Sequence, residues 1–331
     1  MRRRTMGASG WSSSRIISTA VILMASDPPF TFSVAYGRPS EASRSYEMAR
    51  HAPESSAAAK DVVELVVATR SRALYRGPSA GETARATKLF EALLARGEPR
   101  AADLEAWGEL GFDLVEVTMA TGRGIAVRET RGREEGRGVF IVRTTPAEPV
   151  AIEAPHRLND VGTEQIAARL MDEAPFAAVA LNTVSRRLPG EVGQGSADLA
   201  HLEPSYLNAF TRAFARTHPR GTIVQPHGFH SRPGEAELLN VDIILSGARR
   251  PAPPHLGADG ECLRRSGFAV ALFPDDTRTL GGTKNANAAA FREVGGKRFL
   301  HLEMSRYLRD SLQVDAEKRQ RLARCFLRGQ R

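Results

Sequence analysis

Val150-Ala151-Ile152-Glu153-Ala154 runs into Pro155-His156, and Asp160 and Gly162-Thr163-Glu164-Gln165-Ile166 follow directly. An apolar run of strand length, a polar turn and a helix start make up the repeating unit of an α/β fold. The helix is expected over Thr163–Glu173, capped by Thr163, with Ile166, Ala167 and Leu170 on one face. Downstream the alternation continues, with strands expected at Ala177–Asn182, Thr222–Gln225, Asp242–Ser246, Gly267–Phe273 and Arg298–Glu303. Helices are expected at Pro204–His218 and Ser311–Phe326. Upstream, short strand-like runs at Asp113–Met119, Ile125–Glu129, Val139–Thr144 and Pro149–Ala154 are separated by Gly/Arg-rich turns. The pattern predicts a mixed, mostly parallel sheet with helices on both faces.

Outside that region the chain changes character. Helical spacing over Asp61–Arg96, broken at Gly77-Pro78, and a further turn at Asp103–Trp107 predict a helical N-terminal segment over 59–110, ahead of an α/β domain over 111–331. Residues 36–58 read as a flexible linker. Met1-Arg2-Arg3-Arg4, the apolar run Ile16–Ala25 and the small residues Ser33-Val34-Ala35 read as a leader over 1–35. That leader predicts export to the periplasm or exterior; the alternative is a cytoplasmic protein with a disordered start. No other run is long enough for the ~20 residues of a membrane-spanning helix.

Composition narrows the function classes. Of 331 residues, 46 are Lys or Arg and 38 Asp or Glu, a net charge of +8. Residues 1–50 carry seven Arg against three acids and residues 316–331 six basic residues against one, so the remaining 265 sum to −1. A basic excess confined to the tails does not make the folded basic face of a nucleic-acid binder, and no such partner is expected. Two cysteines, Cys262 and Cys325, exclude a thiolate metal cluster. They either pair in an exported protein or remain buried thiols.

In open α/β sheets ligands bind beyond the carboxyl ends of the strands. His156 and Asp160 follow the first run, His227 follows Thr222-Ile223-Val224-Gln225-Pro226, and Glu303 closes Arg298-Phe299-Leu300-His301-Leu302. Singly, a histidine after a strand is commonly a packing residue, and an acid at a helix start a favourable charge for the dipole. Together, two imidazoles and a carboxylate at one sheet edge suit zinc with an open position, and a further Glu suits a general base.

These stretches resemble the zinc carboxypeptidase clan, and within it the poly-γ-glutamate hydrolase-like and N-formylglutamate amidohydrolase-like metallohydrolases. The resemblance spans about residues 137–312 and is carried by Ala154-Pro155-His156 with Asp160 and Gly162-Thr163-Glu164, by Val224-Gln225-Pro226-His227-Gly228-Phe229, and by Phe299-Leu300-His301-Leu302-Glu303. It implies His156, Asp160 and His227 as zinc ligands, Glu303 as the catalytic base, and hydrolysis of a peptide or γ-glutamyl-type amide. The clan's His-x-x-Glu spacing is here His-x-x-x-Asp, which leaves Glu164 as an alternative ligand. Asp198-Leu199-Ala200-His201 stands where the clan grips substrate with an Asn-Arg pair, and no such pair follows. Arg186, Arg187 and His201 are therefore the candidates for binding a carboxylate of a small peptide or acidic amide.

Two alternatives stay open: removal of an N-acyl or N-formyl group from an amino acid, and a catalytically silent, anion-binding relative. Leu280-Gly281-Gly282-Thr283-Lys284 lacks P-loop spacing and reads as a substrate-side loop or a plain turn. His230, His255 and His301 read as structural or exposed, with His301 on the same side of its strand as Glu303.

Overall fold

A computed structural model describes residues 60–190, 196–230, 238 and 240–328, within a unit that comprises residues 58–331. The leader over 1–35 and the linker over 36–58 lie outside the described residues. The chain order is β1 (Lys60–Asp61), α1 (Val62–Ala68), α2 (Ala80–Arg96), α3 (Ala101–Glu109), β2 (Phe112–Met119), β3 (Gly122–Glu129), β4 (Val139–Arg143) and β5 (Glu148–Ala154). Then come α4 (Thr163–Glu173), β6 (Phe176–Leu181), α5 (Tyr206–Thr217), β7 (Thr222–Gly228), β8 (Ile243–Ser246) and α6 (Leu256–Arg265). The chain closes with β9 (Val270–Leu272), α7 (Ala286–Glu293), β10 (Arg298–Met304), α8 (Arg306–Val314) and α9 (Ala316–Arg328).

The strands form one sheet in the order β1-β2-β3-β4-β6-β5-β7-β10-β8-β9. Its centre, β6-β5-β7-β10, is wholly parallel, and five of the nine neighbouring pairs are parallel. The fold is α/β with a mixed, mostly parallel sheet, as the alternation predicts. Period-two strands sort their side chains onto two faces. Val150, Ile152, Val224, Leu300 and Leu302 pack with α1, α4, α6, α8 and α9. Ala151, Ile223 and Phe299 pack with α2, α3, α5 and α7. The second face has a polar continuation: Glu153, Gln225, His227, His301 and Glu303 follow the apolar residues of that face at steps of two. That switch from apolar to polar along three adjacent strands marks the site.

The N-terminal helices are part of this layering. Helix α2 starts at a capping box between Ser79 and Glu82 and ends at Gly97 in the left-handed region, and the Phe90 ring meets those of Trp107 and Phe210 edge to face and that of Phe140 at a tilt.

Two local expectations are corrected. Helix α4 is not capped by Thr163: Gly162, at φ 94°, occupies the cap position and makes no side-chain bond. The expected helix Ser311–Phe326 is two helices, because Asp315 is extended and its carboxylate accepts from Lys318 N, starting α9 afresh. Cys262 and Cys325 form a disulfide between α6 and α9, which settles the choice between pair and thiols. Among the described residues no helix is long and apolar enough to cross a membrane.

Candidate metal centre

Beyond β5 the chain turns sharply. The amides of Asn159 and Asp160 both donate to His156 O at 2.8 Å, so Asp160 is folded back beside the imidazole four residues earlier. Strand β7 brings His227 from the neighbouring position in the sheet. The three donor atoms form a small triangle: His156 Nδ1 to Asp160 Oδ2 is 3.4 Å, His227 Nδ1 to Asp160 Oδ2 3.3 Å, and His227 Nδ1 to His156 Nδ1 3.1 Å. Ligands at about 2.0–2.1 Å around a tetrahedral zinc stand about 3.3 Å apart, so the edges match one face of such a tetrahedron.

The outer nitrogens decide the tautomers. His156 Nε2 lies 2.7 Å from Asp198 Oδ1, and His227 Nε2 lies 2.9 Å from Gln225 Oε1. An ionised carboxylate and an amide oxygen only accept, so both Nε2 atoms carry hydrogen and both Nδ1 atoms direct lone pairs at Asp160. Three acceptors meeting in a buried place repel one another unless a cation or proton joins them. Both imidazoles are nearly inaccessible, at 2% and 3%. Burial disfavours charge on His156, but Asp160 and Asp198 overcome it and raise its pKa. Burial and the neighbouring His301 push His227 down to about 4, the neutral form a metal requires. Burial opposes the charge on Asp160, yet His156, when a proton takes the cation's place on its Nδ1, holds the carboxyl well below the ordinary range.

Asp198 is delivered to His156 by Asn182, whose Nδ2 donates to Pro155 O and Ala197 O. It also meets His201 Nδ1 at 3.1 Å and the Arg186 guanidinium. His156, Asp198 and His201 form a second group of metal-binding type, but Arg186 already neutralises its carboxylate, and it uses the outer nitrogen of His156. Asp198 therefore suits the role of hydrogen-bond partner to a ligand.

Glu303 sits opposite His227 in the register of β10 against β7. Burial raises its pKa, but the hydrogen bond from His301 outweighs that and holds it below the ordinary value, so it is a carboxylate at neutral pH. His301 Nε2 lies 3.3 Å from Glu303 Oε1, and its ring rests 4.4 Å from that of His227. Gly282, at φ 60°, backs onto the His301 ring, where a Cβ would come within 2.8 Å of Nδ1. The glycine loop thus supports the site from behind.

His156, Asp160, His227, Glu303, Arg186, Arg187 and His201 all line one cavity of about 1160 Å³. Arg186 is held over it by Asn159 Oδ1, which accepts from Arg186 N, and its Nη1 lies 3.0 Å from His156 Nδ1. Arg187 and His201 are exposed at its mouth. Glu164 is not among these residues. Its oxygens are taken by the buried Arg157 and by Arg70, and it joins no donor group, which corrects its standing as an alternative ligand.

Several contributors carried no motif. Arg309 is buried and donates to Val161 O, Met304 O and Phe229 O, knitting the Asp160 turn to the ends of β7 and β10. Gly228 leaves room for it, since a Cβ there would lie 2.5 Å from Arg309 Cζ. Glu153, Gln225 and Asn285 lie behind His227. Gln225 was findable, because a polar residue two before a strand-end histidine shares its face.

No protein-family profile matches the chain, and no curated protein matches it in sequence. Among solved structures, a glutaminyl cyclase from an Acidobacteriales bacterium is similar over 78% of this chain and 99% of its own, at 10% identity and a TM-score of 0.33. A Zn-dependent exopeptidase from Parabacteroides distasonis is similar over 74% of this chain and 96% of its own, at 12% identity and a TM-score of 0.30. Likeness at this level carries no argument about chemistry, which rests on the chain's own side chains.

Proposed function

We propose that this protein is a zinc-dependent hydrolase of an amide bond, peptide or γ-glutamyl in type, in a small acidic substrate. The carrying observation is the triangle of His156 Nδ1, Asp160 Oδ2 and His227 Nδ1, three acceptors 3.1–3.4 Å apart. A zinc ion held there supplies Lewis acidity that polarises a carbonyl and acidifies water. The lone pair of His156 Nδ1 serves either the cation or Arg186 Nη1, so metal binding requires Arg186 to turn into the cavity. There its guanidinium, with Arg187 and His201, suits a substrate carboxylate.

Glu303 is the base in this reading. It takes a proton from water as the new C–O bond forms, and returns it to the departing nitrogen as the C–N bond breaks. His301, hydrogen-bonded to it, holds the carboxylate in place. A base beside the triangle has no use in a silent binding protein, which favours catalysis over the anion-binding alternative. The cavity exceeds the usual 300–1,000 Å³ of a small-ligand site. That favours a peptide over the compact N-acyl or N-formyl amino acid. Export is supported by the Cys262–Cys325 disulfide, since such bonds persist in oxidising compartments.

The test is metal content and hydrolysis of γ-glutamyl and α-peptide substrates. Wild type should carry one zinc per chain, His227→Ala should lose it, and Glu303→Gln should keep it while losing about 10²–10⁴-fold in rate. A wild type that takes up no zinc from micromolar solution overturns the proposal.

A further inference from the structure

Glu153 is a carboxyl group on the central strand β5 with no exposure at all and no ion-pair partner among the described residues. A buried carboxyl without an ion-pair partner costs stability unless hydrogen bonds compensate it, so its partners carry the explanation. Its two oxygens are both engaged: Oε1 lies 2.6 Å from Thr211 Oγ1, which accepts from the carboxyl when it holds a proton and then donates to Leu207 O, and Gln225 Nε2 donates to Oε2 at 3.0 Å.

The next link is fixed from two sides. Asn285 Oδ1 accepts from Ala288 N at 3.0 Å at the start of α7, so Asn285 Nδ2 faces Gln225 and requires an acceptor there. Glu153 requires a donor from Gln225 on the other side. Only one orientation of the Gln225 amide meets both demands, with Oε1 toward Asn285 and His227. His227 must then keep its hydrogen on Nε2.

We propose that Glu153 is a positioning residue for the metal centre, which acts through Gln225 to hold His227 in the tautomer whose Nδ1 lone pair faces His156 and Asp160. This rests on the zinc-centre reading above. Without an acceptor at 153, the Gln225 amide either leaves a buried N–H unpaired or turns over and points N–H at both Asn285 and His227. The second arrangement favours hydrogen on Nδ1, where it blocks the ligand position. Glutamine at 153 preserves the chain: Thr211 can accept from its amide while its oxygen accepts from Gln225.

The experiment compares wild type, Glu153→Gln and Glu153→Met by zinc titration against a competing chelator, and by ¹⁵N NMR of the histidine rings in zinc-free protein. Glu153→Met should bind zinc at least 10-fold more weakly and show a second, Nδ1-protonated form of His227, whereas Glu153→Gln should match wild type. A folded Glu153→Met with wild-type zinc affinity and a single Nε2-protonated His227 overturns the proposal. If Glu153→Met does not fold, Gln225→Met puts the same question, since the effect must pass through that amide; unchanged affinity and tautomer there also overturn it. A tautomer change in a chain whose wild type takes up no zinc sinks the zinc reading and leaves the Glu153–Gln225–His227 relay standing.

Discussion

His156 and His227 hold their Nδ1 atoms 3.1 Å apart, while each Nε2 lies against an oxygen, Asp198 Oδ1 at 2.7 Å and Gln225 Oε1 at 2.9 Å. The outer contacts make the inner approach possible. Were either ring in its other tautomer, its hydrogen would point into the triangle and a cation would have no lone pair to meet. The two oxygens come from different places, Asp198 from the loop after β6 and Gln225 from the strand of His227 itself, so the tautomers are set independently.

Asp198→Ala removes the acceptor from His156 Nε2 and frees Arg186. Zinc affinity should fall about 10–100-fold, the usual effect of losing the carboxylate behind a ligating imidazole. Competition with a chromogenic chelator measures it. An affinity equal to wild type means Asp198 does not orient His156.

Glu164→Leu separates a structural acid from a ligand. Arg157 has a fully buried side chain, and burial and Arg70 lower its pKa to about 9, so loss of Glu164 leaves an uncompensated buried cation. Breaking such a pair costs about 3–5 kcal/mol. Urea denaturation should show that loss while zinc stoichiometry stays at wild type, and Asp160→Asn should do the reverse. Loss of zinc in a folded Glu164→Leu or Glu164→Gln restores Glu164 as a ligand.

What the sequence carried well was local. Apolar runs of strand length ending in histidine or glutamate placed His156, His227 and Glu303 at one sheet edge, because side-chain period and strand ends are legible without knowing the partners. The partners were not legible. Asp198 lies 42 residues from His156, and Glu153 lies 72 from Gln225 and 58 from Thr211. Those pairings depend on the strand order β6-β5-β7, which alternation alone does not give. Glu164 shows the converse: its place at a helix start fits a ligand as well as a structural acid, and only Arg157, tied also to Val66 O on α1, tells them apart.

The disulfide closes a long loop. Cys262 and Cys325 stand 63 residues apart, and constraining a loop of that size in the unfolded chain is worth about 4 kcal/mol in the chain-entropy account. The double variant Cys262→Ser/Cys325→Ser should unfold at lower urea, and wild type under reductant should approach it. A wild type indifferent to reductant, with two titratable thiols on denaturation, would mean that no bond forms.

Glu153 gives the stability a pH dependence with a defined sign. Complete burial raises its carboxyl from the ordinary 4.5 to about 7, outweighing the hydrogen bonds from Thr211 and Gln225. Between those values the folded protein holds a proton that the unfolded chain releases, so stability falls as pH rises. The contribution is fully present below pH 4.5 and lost as pH climbs through 7; the difference of 2.5 units corresponds to about 3 kcal/mol. Glu153→Gln cannot titrate, and subtracting its unfolding free energy from that of wild type cancels every other ionisable group. Urea melts of both proteins at pH 4.5 and 7.5 should show wild type losing about 3 kcal/mol relative to the variant. A constant gap would mean that the carboxyl is ionised throughout, which in turn requires a cation or water beside it.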